Sequence, residues 1–264
     1  HGAQYLDQSE HAAALAAIAP AAVAPWDLGG GRSRLVGTPG MAALPKALAK
    51  GLDVSLNTRV TALRQRGARW EIDTETDSFE ASHVIITIPA PQIGPIIGET
   101  HPVAQAASNA NMLSCFTLMA AFDQETPTPF VTLRDADAIL TWIARNDTKP
   151  ERPSKYRSWV AQASPQWSAT HLNADREETK AQMLEMLCAA LGVNPNKLRH
   201  AGLQAWRYGL VAEPLGRPFV SHGTLWAGGD WCCGSKAQDA WYSGTQIAHS
   251  ILQTLDFPAA VRAK

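Results

Sequence analysis

The residues whose types and spacing best suit ligand binding lie near the C-terminus, around Gly229 and Asp230. A short apolar strand over residues 225–227 is predicted to end at this corner, and a helix of about five turns is predicted to begin near Ala237. The N-terminus of a helix presents unpaired N–H groups and a partial positive charge, which favour an anionic or electron-rich ligand. The Asp230 carboxylate can accept hydrogen bonds from sugar hydroxyls. Together these features indicate a dinucleotide site.

Small residues recur along one side of the predicted helix. Ala240, Gly244 and Ala248 are spaced four residues apart, so they share one helical face. A face without large side chains lets another backbone or a flat ligand approach closely. The alternative interpretation of the corner is structural, with Asp230 serving only as the N-cap of the following helix.

Other patterns suggest chemistry more weakly. The glycines at residues 29–31 lack the Gly-Lys-Ser/Thr ending of a phosphate loop, so we interpret them as a turn. The adjacent Cys232 and Cys233 cannot easily form a relaxed disulfide. Cysteines and histidines show no metal-ligand spacing, so we predict neither a metal site nor a disulfide framework.

Bulk composition narrows the class of protein. The net charge is -1 over 264 residues, which provides no basic surface for nucleic acid or an anionic membrane. No apolar run approaches the roughly 20 residues needed to cross a bilayer. Unpaired cysteines favour a reducing environment, so we expect a cytoplasmic protein.

The elements that must position the corner begin with β structure. Alternating apolar and polar residues predict short strands at residues 54–56, 59–64, 69–73 and near Phe79. This antiparallel meander leads into an apolar, β-branched run at residues 83–89, which is typical of a buried parallel strand. Helices are predicted at residues 9–18, 37–50, 91–97 and 103–109.

The second half of the chain predicts another sheet. Strands are expected at residues 114–122, 138–144, 156–162 and 201–208. An amphipathic helix is expected at residues 177–191, with Gly192 as its stop. Because segments of the two sheets alternate in sequence, two discontinuous lobes are predicted.

Motifs along nearly the whole chain, taken in order, resemble one family. They are Gln4-Tyr5, Pro39-Gly40-Met41, the meander from Val60 to Pro89, Trp206-Arg207, Gly229-Asp230 and Ser243-Gly244. This order resembles the renalase-like branch of the flavin amine oxidase superfamily. The resemblance implies a mixed α/β (α+β) fold of amine-oxidase type. An FAD/NAD(P)-binding-like lobe (residues 39–109 and 223–264) would interleave with an antiparallel-sheet substrate lobe (residues 1–38 and 110–222).

The resemblance also implies roles for residues. Asp230 would contact the ribityl or pyrophosphate part of FAD, the backbone at Val60 would lie near the adenine, and the helix start at Ala237 would stabilise charge on the flavin ring. The other implied cofactor-binding residues are Pro39, Gly40, Met41, Pro89, Gly229, Ser243 and Gly244. Gln4, Tyr5, Trp206 and Arg207 are the implied catalytic and substrate-facing residues, with core packing or ion pairing as the alternative for Trp206 and Arg207.

The sequence also departs from the family pattern. The opening strand, GxGxxG turn and helix that hold the ADP half of FAD would precede His1 and are expected to be absent, and Gln238 stands where relatives tend to carry Glu. We expect an FAD-dependent oxidase of a dihydronicotinamide-like small molecule that produces hydrogen peroxide, with a missing N-terminal segment or a second chain completing the FAD site. The alternatives are a flavin amine oxidase and a cofactor-free, non-catalytic binding module.

Overall fold

The structure is a computed structural model and describes residues 2–255; His1 and residues 256–264, at the outer ends of the two expected lobes, lie outside the described residues. The helices are α1 (Glu10–Ile18), α2 (Ala43–Leu48), α3 (Gly94–Ile97), α4 (Pro102–Ala107), α5 (Pro165–His171), α6 (Arg176–Leu191), α7 (Asp230–Cys233) and α8 (Ala237–Thr254). Short 3-10 helices span Pro20–Ala22, Ala90–Gln92, Asn146–Thr148 and Pro195–Lys197.

The strands are β1 (Val23–Gly29), β2 (Arg32–Gly37), β3 (Val60–Arg66), β4 (Arg69–Thr74), β5 (Ser78–Ala81), β6 (Val84–Ile86), β7 (Asn111–Phe122), β8 (Thr132–Arg134), β9 (Leu140–Arg145), β10 (Arg157–Ala163), β11 (Leu198–Glu213), β12 (Val220–His222) and β13 (Leu225–Ala227). None of the helices within residues 2–255 is long and apolar enough to span a bilayer.

The chain forms two compact units, each built from two segments. The first unit comprises residues 1–50 and 113–210, and the second comprises residues 51–112 and 211–264. Sequence analysis placed residues 39–50 in the cofactor lobe, whereas they belong to the first unit. Two long-range or turn bonds reach this segment from the first unit, since Arg152 Nη1 donates to Pro39 O and Gly37 N donates to Met41 Sδ (3.1 Å). Residues 211–222 belong to the second unit because β12 pairs with β13.

The first unit is organised around a five-stranded sheet of order β11-β7-β10-β9-β8. Strand β10 pairs antiparallel with β7 and β9, and β8 pairs antiparallel with β9, which confirms the predicted antiparallel strands. Helix α6 packs Met183 and Leu187 against this sheet. The Asp175 side chain caps the helix by accepting from Glu177 N and Glu178 N, and Gly192 ends it in the left-handed region (φ 63°).

A β-hairpin precedes that sheet in sequence. Strands β1 and β2 pair antiparallel around the glycines at residues 29–31, and Asp27 Oδ1 accepts from Gly29 N at 2.8 Å. The predicted turn is therefore confirmed. Trp26 on β1 is fully buried and packs with Val36 and Trp142.

The second unit contains the predicted meander as a three-stranded antiparallel sheet, β3-β4-β5. A separate sheet has the order β12-β13-β6, in which β6 and β13 are parallel. The predicted parallel pairing is thus confirmed, although the strand spans residues 84–86 rather than 83–89 and Ile85 at its centre is 48% exposed, so the expected full burial was wrong. The predicted strand at residues 54–56 was wrong. Leu56 is 78% exposed, and Asn57 adopts a φ of 54°, which breaks the extended conformation.

Candidate functional site

The corner after β13 is held closely against helix α8. Gly229 N donates to Ser243 Oγ (3.0 Å), and Ser243 Oγ donates to Pro218 O (2.6 Å). A Cβ atom on Gly228 would lie 2.5 Å from Ser243 Oγ and 2.7 Å from Ile247 Cδ1. Glycine is therefore required at Gly228 by the close approach of the helix.

Asp230 is the first residue of α7, and its side chain is half-buried at the same corner. Its Oδ1 accepts from Trp231 N at 2.9 Å. Burial raises the pKa of the Asp230 carboxyl, opposed by this hydrogen bond and reinforced by the nearby Asp239. The alternative interpretation, that Asp230 caps the following helix, is wrong. Gly229 is the N-cap of α7, and Asp239 Oδ2 accepts from Lys236 N at the start of α8.

The first turn of α8 contains an unusual buried amide. Gln238 is 2% exposed, and its Oε1 has no hydrogen-bond partner within residues 2–255. Leaving a buried acceptor unpaired is costly, so such an atom calls for a donor from outside the described residues. Ala237, beside it at the helix start, is half-buried.

The small-residue face of α8 is open in the described structure. Ala240, Gly244 and Ala248 are all exposed, and no atom lies within 4 Å of a Cβ built on Gly244. Two further residues expected to bind the cofactor belong to the same unit: Val60 starts β3, and Pro89 follows β6. The segment that contains Pro89 is bonded to the corner, because the Trp231 indole N–H donates to Ile88 O at 3.1 Å.

A cavity of about 570 Å³ lies within the first unit. Four of the expected residues come together in its wall: Gln4, Gly40, Met41 and Trp206. Trp159 and Met119 add to the apolar lining, and the remaining polar lining side chains are Asn146, Lys149, Arg152, Ser158 and His200. None of the lining residues within the described part of the chain is acidic.

Lys149 is the most unusual group in this cavity. It is 4% exposed, its Nζ donates to Gln4 Oε1 at 2.9 Å, and it lies 4.8 Å from the centre of the Trp26 ring. Burial lowers the pKa of Lys149 to about 7, and the neighbouring Arg152 adds to this effect. Sequence reasoning missed both residues, because a polar loop of this composition usually faces solvent.

Arg152 fixes the loop that carries Pro39. Its guanidinium donates to the carbonyl oxygens of Gly37 and Pro39. The loop is tight, since a Cβ on Gly37 would lie 2.6 Å from Gly40 O. Pro39 itself is exposed, and its expected contact with a cofactor stays a prediction.

Tyr5 and Arg207 do not line this cavity. Tyr5 lines a second, smaller cavity of about 250 Å³ with Arg34, Arg134 and Trp142, and Arg134 Nη2 donates to its hydroxyl at 2.6 Å. Arg207 is exposed beside Trp206 on β11. The roles expected for both residues stay predictions.

The adjacent cysteines of α7, Cys232 and Cys233, are free thiols. Burial raises the pKa of Cys232 to about 12 and also raises the pKa of Cys233. Because the thiolate is the reactive form, neither residue is suited to nucleophilic or redox chemistry at neutral pH.

Comparisons with known proteins agree with this architecture. Residues 15–252 match the family model described as flavin containing amine oxidoreductase. The fold resembles a protein assigned as a protoporphyrinogen oxidase from Exiguobacterium sp. 255-15, with a TM-score of 0.69 and 18% identity over 84% of this chain and 52% of that one. It also resembles cyclohexylamine oxidase from Brevibacterium oxydans IH-35A, with a TM-score of 0.66 and 13% identity over 88% of this chain and 56% of that one.

Wild-type putrescine oxidase bound to putrescine is a further structural neighbour, with a TM-score of 0.60 and 19% identity over 84% of this chain and 54% of that one. The chain therefore spans about half the length of these solved structures. At these identities the likeness establishes the fold, and the expected mixed α/β fold of amine-oxidase type is confirmed.

Proposed function

Because the chain belongs to the family of flavin-containing amine oxidoreductases, we propose that it acts as an FAD-dependent oxidoreductase of the renalase-like branch. It oxidises a dihydronicotinamide-like small molecule and passes the electrons to oxygen, which becomes hydrogen peroxide. The observation that carries this choice is the cavity of the first unit, whose ionisable lining residues in the described chain are Lys149, Arg152 and His200, with no carboxylate among them.

The residues of the second unit fit a flavin. The Gln238 Oε1 atom needs a donor, the face of α8 at Gly244 is open to close approach, and the Asp230 carboxylate can accept from ribityl hydroxyls. The partial positive charge at the start of α8 suits negative charge on the ring. When bound, a flavin accepts two electrons from the donor and delivers them to oxygen.

The cavity of the first unit suits a flat donor with an anionic part. Trp206, Trp159 and Met41 provide apolar walls that exclude water from a ring, and Gln4 is fixed by hydrogen bonds on both sides of its amide. Lys149 and Arg152 supply positive charge at the same wall. A dihydronicotinamide needs little acid–base assistance, since it already carries a transferable hydride.

Flavin amine oxidase activity is the second candidate, favoured by the family match and by the putrescine and cyclohexylamine oxidases among the structural neighbours. An amine arrives as a cation at neutral pH. In this cavity it would meet Lys149 and Arg152 without a carboxylate to offset them, which disfavours its binding.

A further polypeptide segment completes the FAD site, either N-terminal to this chain or from a second chain. Strand β6 is an edge of its sheet in the described residues, and Ile85 at its centre is 48% exposed. An edge strand with an exposed apolar residue can accept another strand. A cofactor-free binding module is the remaining alternative.

Addition of FAD to the purified protein tests the proposal. We expect a yellow protein whose melting temperature rises with FAD, because a ligand that binds only the folded state stabilises it. Anaerobic addition of a dihydronicotinamide should bleach the colour, and air should restore it with release of peroxide. The variant Asp230→Asn should weaken FAD binding, whereas Asp77→Asn, in the exposed β4–β5 turn, should not.

Two outcomes would redirect the assignment. If the protein is prepared together with the segment that completes the FAD site and is still colourless, with no change in melting temperature on adding FAD, it would be a cofactor-free module. Oxygen consumption with amines but not with dihydronicotinamides would identify an amine oxidase.

A further inference from the structure

Lys149 lies in a position that a buried ammonium group rarely occupies. It is 4% exposed, and Gln4 Oε1 is its one side-chain acceptor within residues 2–255. The Trp26 ring covers another side at 4.8 Å. A neutral amide and an aromatic face satisfy an ammonium only in part, because buried charges are ordinarily paired with an opposite charge.

The orientation of Gln4 makes this arrangement specific. Its Nε2 donates to Gly2 O at 2.9 Å, so its Oε1 faces Lys149. An ammonium has three N–H donors. One donor is directed to Gln4 and Trp26 covers one side, and both Lys149 and Gln4 line the cavity. A ligand in that cavity is therefore adjacent to an ammonium that has donors to spare.

The charges around Lys149 do not neutralise it. Asp147, two residues earlier, has a side chain that is 2% exposed and accepts from Ser158 N (3.0 Å), Arg145 (3.0 Å) and Arg157 (3.5 Å). Glu151 is exposed beside Arg152, and His200 lines the same cavity from β11. The field at Lys149 is therefore set by Arg152 and is positive.

From this geometry we infer that Lys149, supported by Arg152, forms an anion-binding subsite of the cavity, which takes a carboxylate or phosphate oxygen of the substrate and excludes protonated amines. This inference rests on the proposed function and specifies the charge of the substrate that the same site binds. An incoming anion supplies the opposite charge that the described chain does not provide, and its bond to the ammonium is of the strong, charge-assisted kind.

The subsite depends on pH because burial lowers the pKa of Lys149 to about 7. Below that pH the ammonium is present and binds an anion. Above it the neutral amine predominates, and the apparent affinity falls with the fraction of protonated protein. A bound anion favours the charged form, so binding near pH 7 is accompanied by proton uptake.

Isothermal titration calorimetry on the protein without added flavin tests this subsite. Benzoate and dimethyl phosphate are the probes, since both stay monoanionic between pH 6 and 8.5 and represent the carboxylate and phosphate sources separately. We expect at least one of them to bind at pH 6 and to bind about tenfold more weakly at pH 8.5. Benzylamine, a cation of similar size to benzoate, should not bind.

Variants distinguish a binding role from a structural one. Lys149→Arg keeps its charge at every pH, so its affinity should stay constant from pH 6 to 8.5. Lys149→Met should lose about tenfold in affinity at pH 6 and show no pH dependence. The control Lys155→Met removes an exposed lysine that lies over the Tyr156 ring outside the cavity, and it should match the wild type.

Affinity that is the same at both pH values in the wild type, or equal binding of benzylamine and benzoate, would overturn the inference. If Lys149→Met fails to fold, the pH profile of Lys149→Arg against the wild type decides the matter. The proposed function and the anion subsite can fail independently. If the FAD and dihydronicotinamide tests fail but the anion titrations succeed, the protein has an anion site and a different activity.

Discussion

At the scale of single residues, Lys149 couples the stability of the protein to pH. Its pKa is lowered from 10.5 to about 7 in the folded protein. Between these values the unfolded chain binds a proton that the folded chain does not, so the contribution of Lys149 to the free energy of unfolding rises with pH. Below about pH 7 the folded protein bears the full cost of the buried ammonium.

Replacement of the lysine by methionine should remove this dependence. Relative to the wild type, Lys149→Met should gain most in the free energy of unfolding at pH 6, and this gain should be about 2–3 kcal/mol smaller at pH 9. Urea titrations at the two pH values measure the difference, with Lys155→Met as the exposed control. An equal effect of Lys149→Met at both pH values would contradict the assignment of a neutral amine above pH 7.

Residues of the candidate site were only partly foreseeable. The resemblance singled out Gln4, Met41 and Trp206, and the structure brings them into one cavity. Lys149 was not foreseeable, because its burial depends on Gln4 and Trp26, which lie more than one hundred residues away in sequence. The unpaired oxygen of Gln238 likewise depends on packing that no local pattern encodes.

At the scale of elements, the contact between the β13 corner and α8 is the most sensitive to substitution. Gly228→Ala would place a methyl group 2.5 Å from Ser243 Oγ and 2.7 Å from Ile247 Cδ1. We expect a loss of about 1–3 kcal/mol in the free energy of unfolding, because the helix must move and its bond to the corner weakens.

The same helix offers a matched control. Gly244→Ala adds an identical methyl group where no atom lies within 4 Å, and alanine favours a helix over glycine by up to about 1 kcal/mol. Urea denaturation should therefore show opposite signs for the two variants. Equal destabilisation by both would show that the corner is not closely packed.

Elements with strong periodicity or clear end signals were predicted well. The meander, helix α6 with Gly192, and helix α8 from Ala237 agree with the structure. The strand predicted at residues 54–56 failed because apolar alternation over three residues does not provide a pairing partner. The unit boundary near residue 50 depends on the long-range bond from Arg152 to Pro39 O, which no local pattern encodes.

At the scale of the whole molecule, the edge of β6 should govern association. Without a strand added to this edge, we expect concentration-dependent self-association in light scattering, which Ile85→Lys should suppress. Ile18→Lys, on the exposed side of α1, makes the same chemical change away from any sheet edge. If both variants behave alike, exposed apolar area rather than the strand edge would be the cause.

The parallel pairing of residues 84–86 with residues 225–227 also sets an order of events during synthesis on the ribosome. All of the described first unit has been made once residue 210 is complete, whereas residues 51–112 of the second unit are then still without β12, β13 and α8. The apolar surface of residues 51–112 is not covered by these elements until the last fifth of the chain has been translated. That interval is when a nascent chain is most exposed to aggregation and has most need of chaperones.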